Sequence, residues 1–296
     1  GPGHQLQHAM TGRIAILTPD RNSEGFRTRW PDVLDRNASP LREAGLEVES
    51  RDWADSTDLA GFDLVLPLLV WGYPFAPEQW RASVDRWEGE GVRLRNPPSV
   101  LRWNADKIYL ERLAERGAPV VPTRHCTRLT EAALEEAARA FGTDRLVAKP
   151  RVSSSAWQTI RWSPGAPLAG GPEGAAMVQP YLPEIERSGE VSMIFFGGAF
   201  SHAISKRPQP GDFRVQPEYD GIIAAHRPDA AEHEAAERIL AAVDEPLLYA
   251  RVDLVRGLDG APQLIELELI EPDLYLGYEE DAGKRFAAAI LELIAG

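Results

Sequence analysis

Two short segments near the C-terminal end constrain this chain more than any other stretch. In Leu247–Val255, alternation puts Leu248, Ala250, Val252 and Leu254 on one face of a strand, with Tyr249, Arg251 and Asp253 on the other. In Gln263–Ile270, Glu266 and Glu268 share a face while Ile265, Leu267 and Leu269 pack the opposite one. A turn within Gly257–Gly260, about Leu258-Asp259, folds the two into a hairpin and brings Asp253 opposite or diagonal to Glu266. The chain must therefore build a sheet whose one face meets a core while the other carries three crowded carboxylates.

Like charges this close repel. A hard divalent cation resolves the repulsion, because magnesium prefers oxygen ligands and is commonly shared between carboxylates and substrate phosphates. The plainer reading is a solvated polar face on an ordinary hairpin, with Arg251 offsetting part of the charge. The two strands alone leave both open.

Composition narrows the setting. With 296 residues, 44% apolar and 26% charged, the chain is a globular protein long enough for about two domains. A net charge of -13 argues against nucleic acid as the main partner, though a local basic cluster in a cleft can still hold a small anion. The single cysteine, Cys126, cannot close an internal disulfide, so a reducing cytoplasm is expected. It has no assigned basic partner to make it a nucleophile. No run approaches the roughly 20 apolar residues that span a bilayer, and no signal-peptide layout is present. Residues 1–9 read as a tag remnant, with native sequence starting near Met10.

Along the chain, Arg13–Leu17, Leu46–Trp53 and Phe62–Val70 read as strands, with a helix over 26–44 ending at Gly45. Strands alternating with helices indicate a parallel βαβ layer. A helix over Pro77–Glu90 and the turn Asn96-Pro97-Pro98 close this region, with a boundary near Trp103. Next come a helix over Asp106–Arg116, a strand at Pro119–Pro122, an amphipathic helix at Glu131–Phe141 and strands at Leu146–Lys149 and Ala176–Tyr181. Glu190–Phe196 and Ala199–Lys206 form a hairpin about Gly197-Gly198, and helices cover Ala230–Val243 and Lys284–Ile294.

Two lysines sit where an anion could bind. Lys107 follows Trp103-Asn104-Ala105-Asp106, and Lys149 ends an apolar strand before the small-residue segment containing Ser153, Ser154 and Ser155. A strand, a lysine and a small-residue loop offer charge and free backbone N–H groups to a phosphate. Taken alone, Lys107 reads better as a surface lysine, while Lys149 is less easily dismissed because it follows Leu-Val-Ala directly and precedes three serines.

Taken in order, these features resemble the ATP-grasp superfamily. Lys107 and Lys149 look like its two phosphate-holding lysines. Met177-Val178-Gln179-Pro180-Tyr181-Leu182 resembles the hinge that meets adenine, through Gln179, Tyr181 and Leu182, and Glu190 matches the acid that takes the ribose hydroxyls. Lys206-Arg207-Pro208 and Gly211-Asp212-Phe213-Arg214 resemble the cationic segment near the terminal phosphate, and Ala250-Arg251-Val252-Asp253 the A-R-V-D strand of D-alanine–D-alanine ligases. Leu264-Ile265-Glu266-Leu267-Glu268 resembles the E-x-N metal strand, with Glu268 where asparagine is usual. The serine-rich loop stands where glycines are usual. Tyr181–Arg214 is most similar to the glutathione-synthetase and ribosomal-protein-modifying branch, and more narrowly to the D-cycloserine synthetase group.

The resemblance implies an α/β ATP-grasp fold, α+β in its C-terminal part. It divides into an N-terminal βαβ domain (10–103), a central subdomain (104–183) and a C-terminal subdomain (184–296). It also implies ATP with two magnesium ions on Asp253, Glu266 and Glu268, manganese being an acceptable substitute, and Arg251, Arg214 and Lys206 at the reacting atoms. A substrate carboxylate or ureido oxygen would take the γ-phosphoryl group and an amine would then attack, with segments around Val152–Ala156 and Pro208–Gly221 closing over the site. The implied partner is a small amino-acid-like substrate, and a homodimer is compatible with the chain. Two other classes compete: a binding-only nucleotide protein and a kinase on the same fold. His202 reads as a packed histidine, while Asp20 and the Trp71–Phe75 loop stand at strand ends where α/β sheets place ligands.

Overall fold

The computed structural model describes residues 12–152, 158–210 and 221–296. The predicted tag remnant, Ser153–Ser155 and Arg214 lie outside them, as do most of the two segments expected to close.

The chain opens with β1 (Arg13–Thr18), α1 (Trp30–Glu43), β2 (Glu47–Asp52), β3 (Leu64–Leu66) and α2 (Pro77–Gly89). β1 lies between β2 and β3, both parallel to it, as the alternating pattern predicts. Gly45, at φ +93°, ends the first helix as expected. β3 is shorter than the predicted Phe62–Val70, because Pro67 brings no N–H to the ladder. Leu68, Leu69 and Val70 are buried all the same.

α3 (Pro98–Trp103) follows, its proline at the first helical position. Then come α4 (Tyr109–Glu115), β4 (Arg124–Cys126), α5 (Glu131–Phe141), β5 (Leu146–Pro150), β6 (Ile160–Trp162) and β7 (Ala176–Pro180). The predicted helix over Asp106–Arg116 therefore begins later, and Lys107 sits in the turn before it. Pro119–Pro122 is no strand: it makes one bridge, with Val121 N–H donating to the Leu264 carbonyl and Leu264 N–H to that of Pro119. Strands β4, β7, β5 and β6 form an antiparallel sheet in that order, packed against α5 around Leu134, Trp162 and Val178.

The last part contains α6 (Glu184–Ser188), β8 (Glu190–Phe196), β9 (Ala199–Arg207), β10 (Ile222–His226), α7 (Ala230–Ala241), β11 (Tyr249–Arg256), β12 (Pro262–Glu268) and α8 (Ala282–Ala295). Its five strands run β10-β9-β8-β11-β12, all antiparallel.

The two faces of this sheet differ. Met193, Phe195, Ala250, Val252 and Leu267 pack on α4 and α7. On the other face, Ile194, Phe196 and Tyr249 pack against α8 and the parallel sheet through Ile14, Leu66, Phe286 and Ile290. That second face changes character along each strand. Two residues before Ile194 stands Ser192 and two before that Glu190, while Tyr249 is followed at the same parity by Arg251 and Asp253. One half of the face anchors the core, and the other half is left polar.

Side chains cover the free edge of β12. Asn104 donates to the Leu267 carbonyl (2.9 Å) and accepts from Leu269 N–H (2.9 Å), and the Tyr109 hydroxyl accepts from Leu267 N–H (2.8 Å). Asn96 bridges the carbonyls of Tyr249 and Leu269. These bonds satisfy an edge that would otherwise invite strand pairing, and they fix β12 where its glutamates point into the cleft.

Candidate active site

The hairpin register sets the centre. Asp253 pairs with Glu266 and Arg251 with Glu268, and a bulge follows at Asp253/Leu254. One oxygen from each of Asp253, Glu266 and Glu268 lies within 4.8 Å of the others. Oxygens around a magnesium ion at about 2.1 Å lie no more than roughly 4.2 Å apart, so a closure of about half an ångström completes the donor set. All three donors are hard oxygens. The residues fit a divalent cation.

The protein's own cations neutralise these acids. Lys107 Nζ donates to Glu266 Oε1 (2.6 Å). Arg251 reaches Asp253 Oδ1 through Nε (3.0 Å) and Asp253 Oδ2 through Nη2 (3.1 Å), while Nη2 also lies 2.8 Å from Glu268 Oε2. Ser192 Oγ donates to Asp253 Oδ1 at 2.6 Å. A metal ion held by these carboxylates would compete with Arg251 and Lys107 for the same oxygens.

Electrostatics separate the acids. Burial alone would raise Glu266, but Lys107 and then Lys149 outweigh it and bring its carboxyl down to about 2. Glu268 is pushed up to about 8 by burial, against the pull of Arg251 and with Glu266 and Asp253 adding to the rise. An acid held above its unfolded value of 4.5 stabilises the fold while protonated. Its contribution is full below about pH 4.5 and is lost as pH climbs to about 8. Glu268→Gln should therefore raise the Tm of the chelator-treated protein at pH 8, leave it nearly unchanged at pH 5, and weaken magnesium binding. Thermal scans at both pH values with and without magnesium check this.

Around the centre, Lys149 on β5 is drawn down to about 8 by burial and by the charge of Lys107. Lys206 on β9 is buried, and although burial opposes its charge, Asp253 holds it well above the ordinary lysine range. Its ammonium stands 5.7 Å from the ring centre of Tyr275, and the Arg251 guanidinium 5.5 Å from the same ring. Glu190 pairs in register with Lys206. Its carboxyl is raised by burial, though Lys206 pulls the other way.

The approach of β8 to β9 depends on Gly189. A Cβ there would lie 1.8 Å from the Lys206 carbonyl oxygen, and its φ is +68°. Gly189→Ala should move Lys206 and Glu190 apart, lower Tm by several degrees and weaken nucleotide binding about tenfold or more. Calorimetry with a non-hydrolysable ATP analogue reads the second effect.

Gln179 is buried on β7 and donates to Thr123 Oγ1 (3.0 Å). Tyr181 N–H is taken by the Arg145 carbonyl, and its ring carries the Arg145 guanidinium at 4.1 Å. Leu182 N–H has no partner among the described residues. His202 is packed as expected: Nε2 meets the Leu274 carbonyl (2.8 Å) and Nδ1 meets Ser201 Oγ (2.7 Å). Asp20 holds its own turn, accepting from Asn22 N–H through Oδ1 (3.0 Å).

Sequence reasoning missed Ser192 and Tyr275, while Tyr73, which lines a small cavity with Glu266 and Glu268, lies in the Trp71–Phe75 loop already placed at a ligand-bearing strand end. Ser192 was within reach, because it shares the strand parity of Glu190. Tyr275 arrives on an irregular segment with φ +48°, which no periodicity announces.

The comparisons with known proteins agree with this geometry. A profile described as the N-terminal domain of D-cycloserine synthetase DcsG matches residues 14–96. The cycloserine biosynthesis protein DcsG of Streptomyces lavendulae is 33% identical over 290 residues, covering 88% of this chain and 94% of that protein. The chain belongs to the D-cycloserine synthetase family of ATP-grasp ligases. The crystal structure of D-cycloserine synthetase DcsG superposes with a TM-score of 0.79 at 30% identity, over 96% of this chain and all of that one. D-alanine–D-alanine ligase of Bacillus anthracis shares the fold, with a TM-score of 0.68 at 16% identity over 96% of each chain. As a member of this family the chain is an ATP-dependent, ADP-forming ligase that makes carbon–nitrogen bonds. No described helix is long and apolar enough to cross a membrane.

Proposed function

We propose that this ligase activates an oxygen of a small amino-acid-like substrate with magnesium and ATP, then closes a carbon–nitrogen bond within that molecule. Relatives named for D-cycloserine synthesis support the ring-closing form. The observation that carries the reading is the convergence of Arg251, Lys107, Lys149 and Lys206 on the three carboxylates of β11 and β12.

Asp253, Glu266 and Glu268 would hold two magnesium ions, which screen the charge of the phosphates and polarise the transferred group. Lys107 and Lys149 bind phosphate oxygens from the side of the four-stranded sheet. Arg251, released from Asp253 and Glu268, turns toward the oxygen that gains negative charge when the nitrogen attacks. Lys206 stays charged beneath the same centre. Burial of these groups keeps water from an activated intermediate that hydrolyses readily.

The test is to incubate the protein with ATP, magnesium and a panel of amino acids and their ureido derivatives, following ADP, free phosphate and substrate mass together. Stoichiometric ADP and phosphate with loss of water from a single substrate, its oxygen carried off in the phosphate, is the expected result. A stable gain of phosphate on the substrate would mean a kinase, and nucleotide binding without turnover would mean a binding-only protein.

A further inference from the structure

Two lysines of like charge are held near one another in this site. Lys107 sits in the turn before α4, and Lys149 lies in β5. The charge of Lys107 helps to draw the Lys149 ammonium down, so the two repel. Glu266 offsets part of that repulsion, because it attracts both. The remainder acts to push the turn and the strand end apart.

A residue beside each lysine opposes that push. Arg151, two residues after Lys149, continues the ladder of β5 by one bond, its N–H donating to the Ala175 carbonyl (3.2 Å). Its guanidinium donates to both oxygens of Asp106, from Nε to Oδ1 (3.3 Å) and from Nη2 to Oδ2 (2.9 Å). Its carbonyl accepts from Lys107 N–H (3.0 Å). Asp106 Oδ1 also accepts from Ile108 N–H (3.1 Å), so one carboxylate spans the turn that carries Lys107 and reaches Arg151 as well. The side chains of Asp106 and Arg151 are 38% and 21% exposed, and an ion pair this open to water adds little to stability. What the forked pairing supplies is geometry, because two parallel bonds fix direction as well as distance.

We propose that the Asp106–Arg151 pair is a positioning clamp that sets the spacing of Lys107 and Lys149, so that both ammoniums meet the nucleotide phosphates without first having to be drawn together. This rests on the proposed function, in which the two lysines are phosphate ligands. Asp106 and Arg151 act through the lysines and do not themselves touch the nucleotide.

Equilibrium binding of ADP and of adenosine, with magnesium present, tests it on Asp106→Asn, Arg151→Gln and the double variant. The asparagine oxygen still accepts from Ile108 N–H and the carbonyl at 151 is kept, so each change removes the ion pair and spares the backbone contacts. Each single variant should bind ADP about 10-fold more weakly, the scale of one lost preorganised contact. Adenosine should bind as it does to the wild type, which also shows that the variants are folded. The double variant should be no weaker than either single one, because both lose the same contact. A loss confined to Arg151→Gln would mean that Arg151 holds phosphate itself. Losses that multiply in the double variant, losses that fall equally on adenosine, or ADP binding unchanged throughout would mean that the pair does not position the lysines. Each of these outcomes overturns the clamp and leaves the ligase reading intact. If the wild type binds ADP no more tightly than adenosine, the lysines do not hold phosphate, and that part of the functional reading fails together with the clamp.

Discussion

Asp253→Asn should leave a folded protein that no longer releases ADP, with turnover reduced about a thousandfold or more. The asparagine keeps the shape of the side chain, and Arg251 retains Glu268 as a partner at 2.8 Å, so the packing of β11 is undisturbed. What disappears is one of the three negative charges of the donor set, since the remaining amide oxygen is a much weaker ligand for a hard cation. A metal ion that stabilises transferring phosphate contributes several kcal/mol to the barrier, and each ~1.4 kcal/mol is a factor of ten in rate. Glu266→Gln should act alike, with the further effect of leaving Lys107, which is buried, without its carboxylate. Circular dichroism and a coupled ADP assay on each variant suffice. Wild-type turnover in either would mean that the carboxylates do not hold the metal.

The part of this site that follows period-two alternation could be read from the chain. Arg251 and Asp253 share a face because they are two residues apart, and the Gly257–Gly260 turn brings Glu266 opposite Asp253, as the ladder shows. The bulge after Asp253 could not be foreseen, since nothing in Leu254-Val255 distinguishes a regular ladder from a shifted one. β10 was missed because it is an edge strand with a mostly exposed surface and no apolar alternation. β6 escaped because only three residues pair. Tyr73 and the Glu271–Tyr275 segment are irregular and lie far apart in sequence. Their convergence depends on how the parallel layer and the five-stranded sheet share the core around Ile14, Ile194 and Phe286, a tertiary fact with no local signature. The lysines show the same division. Lys149 was readable from the strand it ends, but the contact between Lys107 and Glu266 spans 159 residues.

Arg251→Met should separate a structural role from a chemical one in a single variant. Arg251 is buried and binds two carboxylates, so its loss leaves Asp253 and Glu268 facing each other with no guanidinium between them. Removing one partner from a buried ionic group typically costs about 3–5 kcal/mol. The metal-free variant should therefore unfold many degrees below the wild type, or lower its carboxylate charge by taking up protons near neutral pH. Magnesium supplies the missing charge at the same oxygens. With magnesium and ADP present, much of the lost stability should return, because the ion no longer has to displace the arginine. Turnover should not return. On the proposed role of Arg251, the oxygen that becomes negative during carbon–nitrogen bond formation would lose a donor, an effect of about 100- to 1,000-fold in kcat. Denaturant melts with chelator and with saturating magnesium, set beside ADP release, distinguish the outcomes. Stability and activity rescued together would make Arg251 a counter-ion only. Stability rescued without activity would show that the same guanidinium that neutralises Asp253 and Glu268 also acts on the reacting atoms.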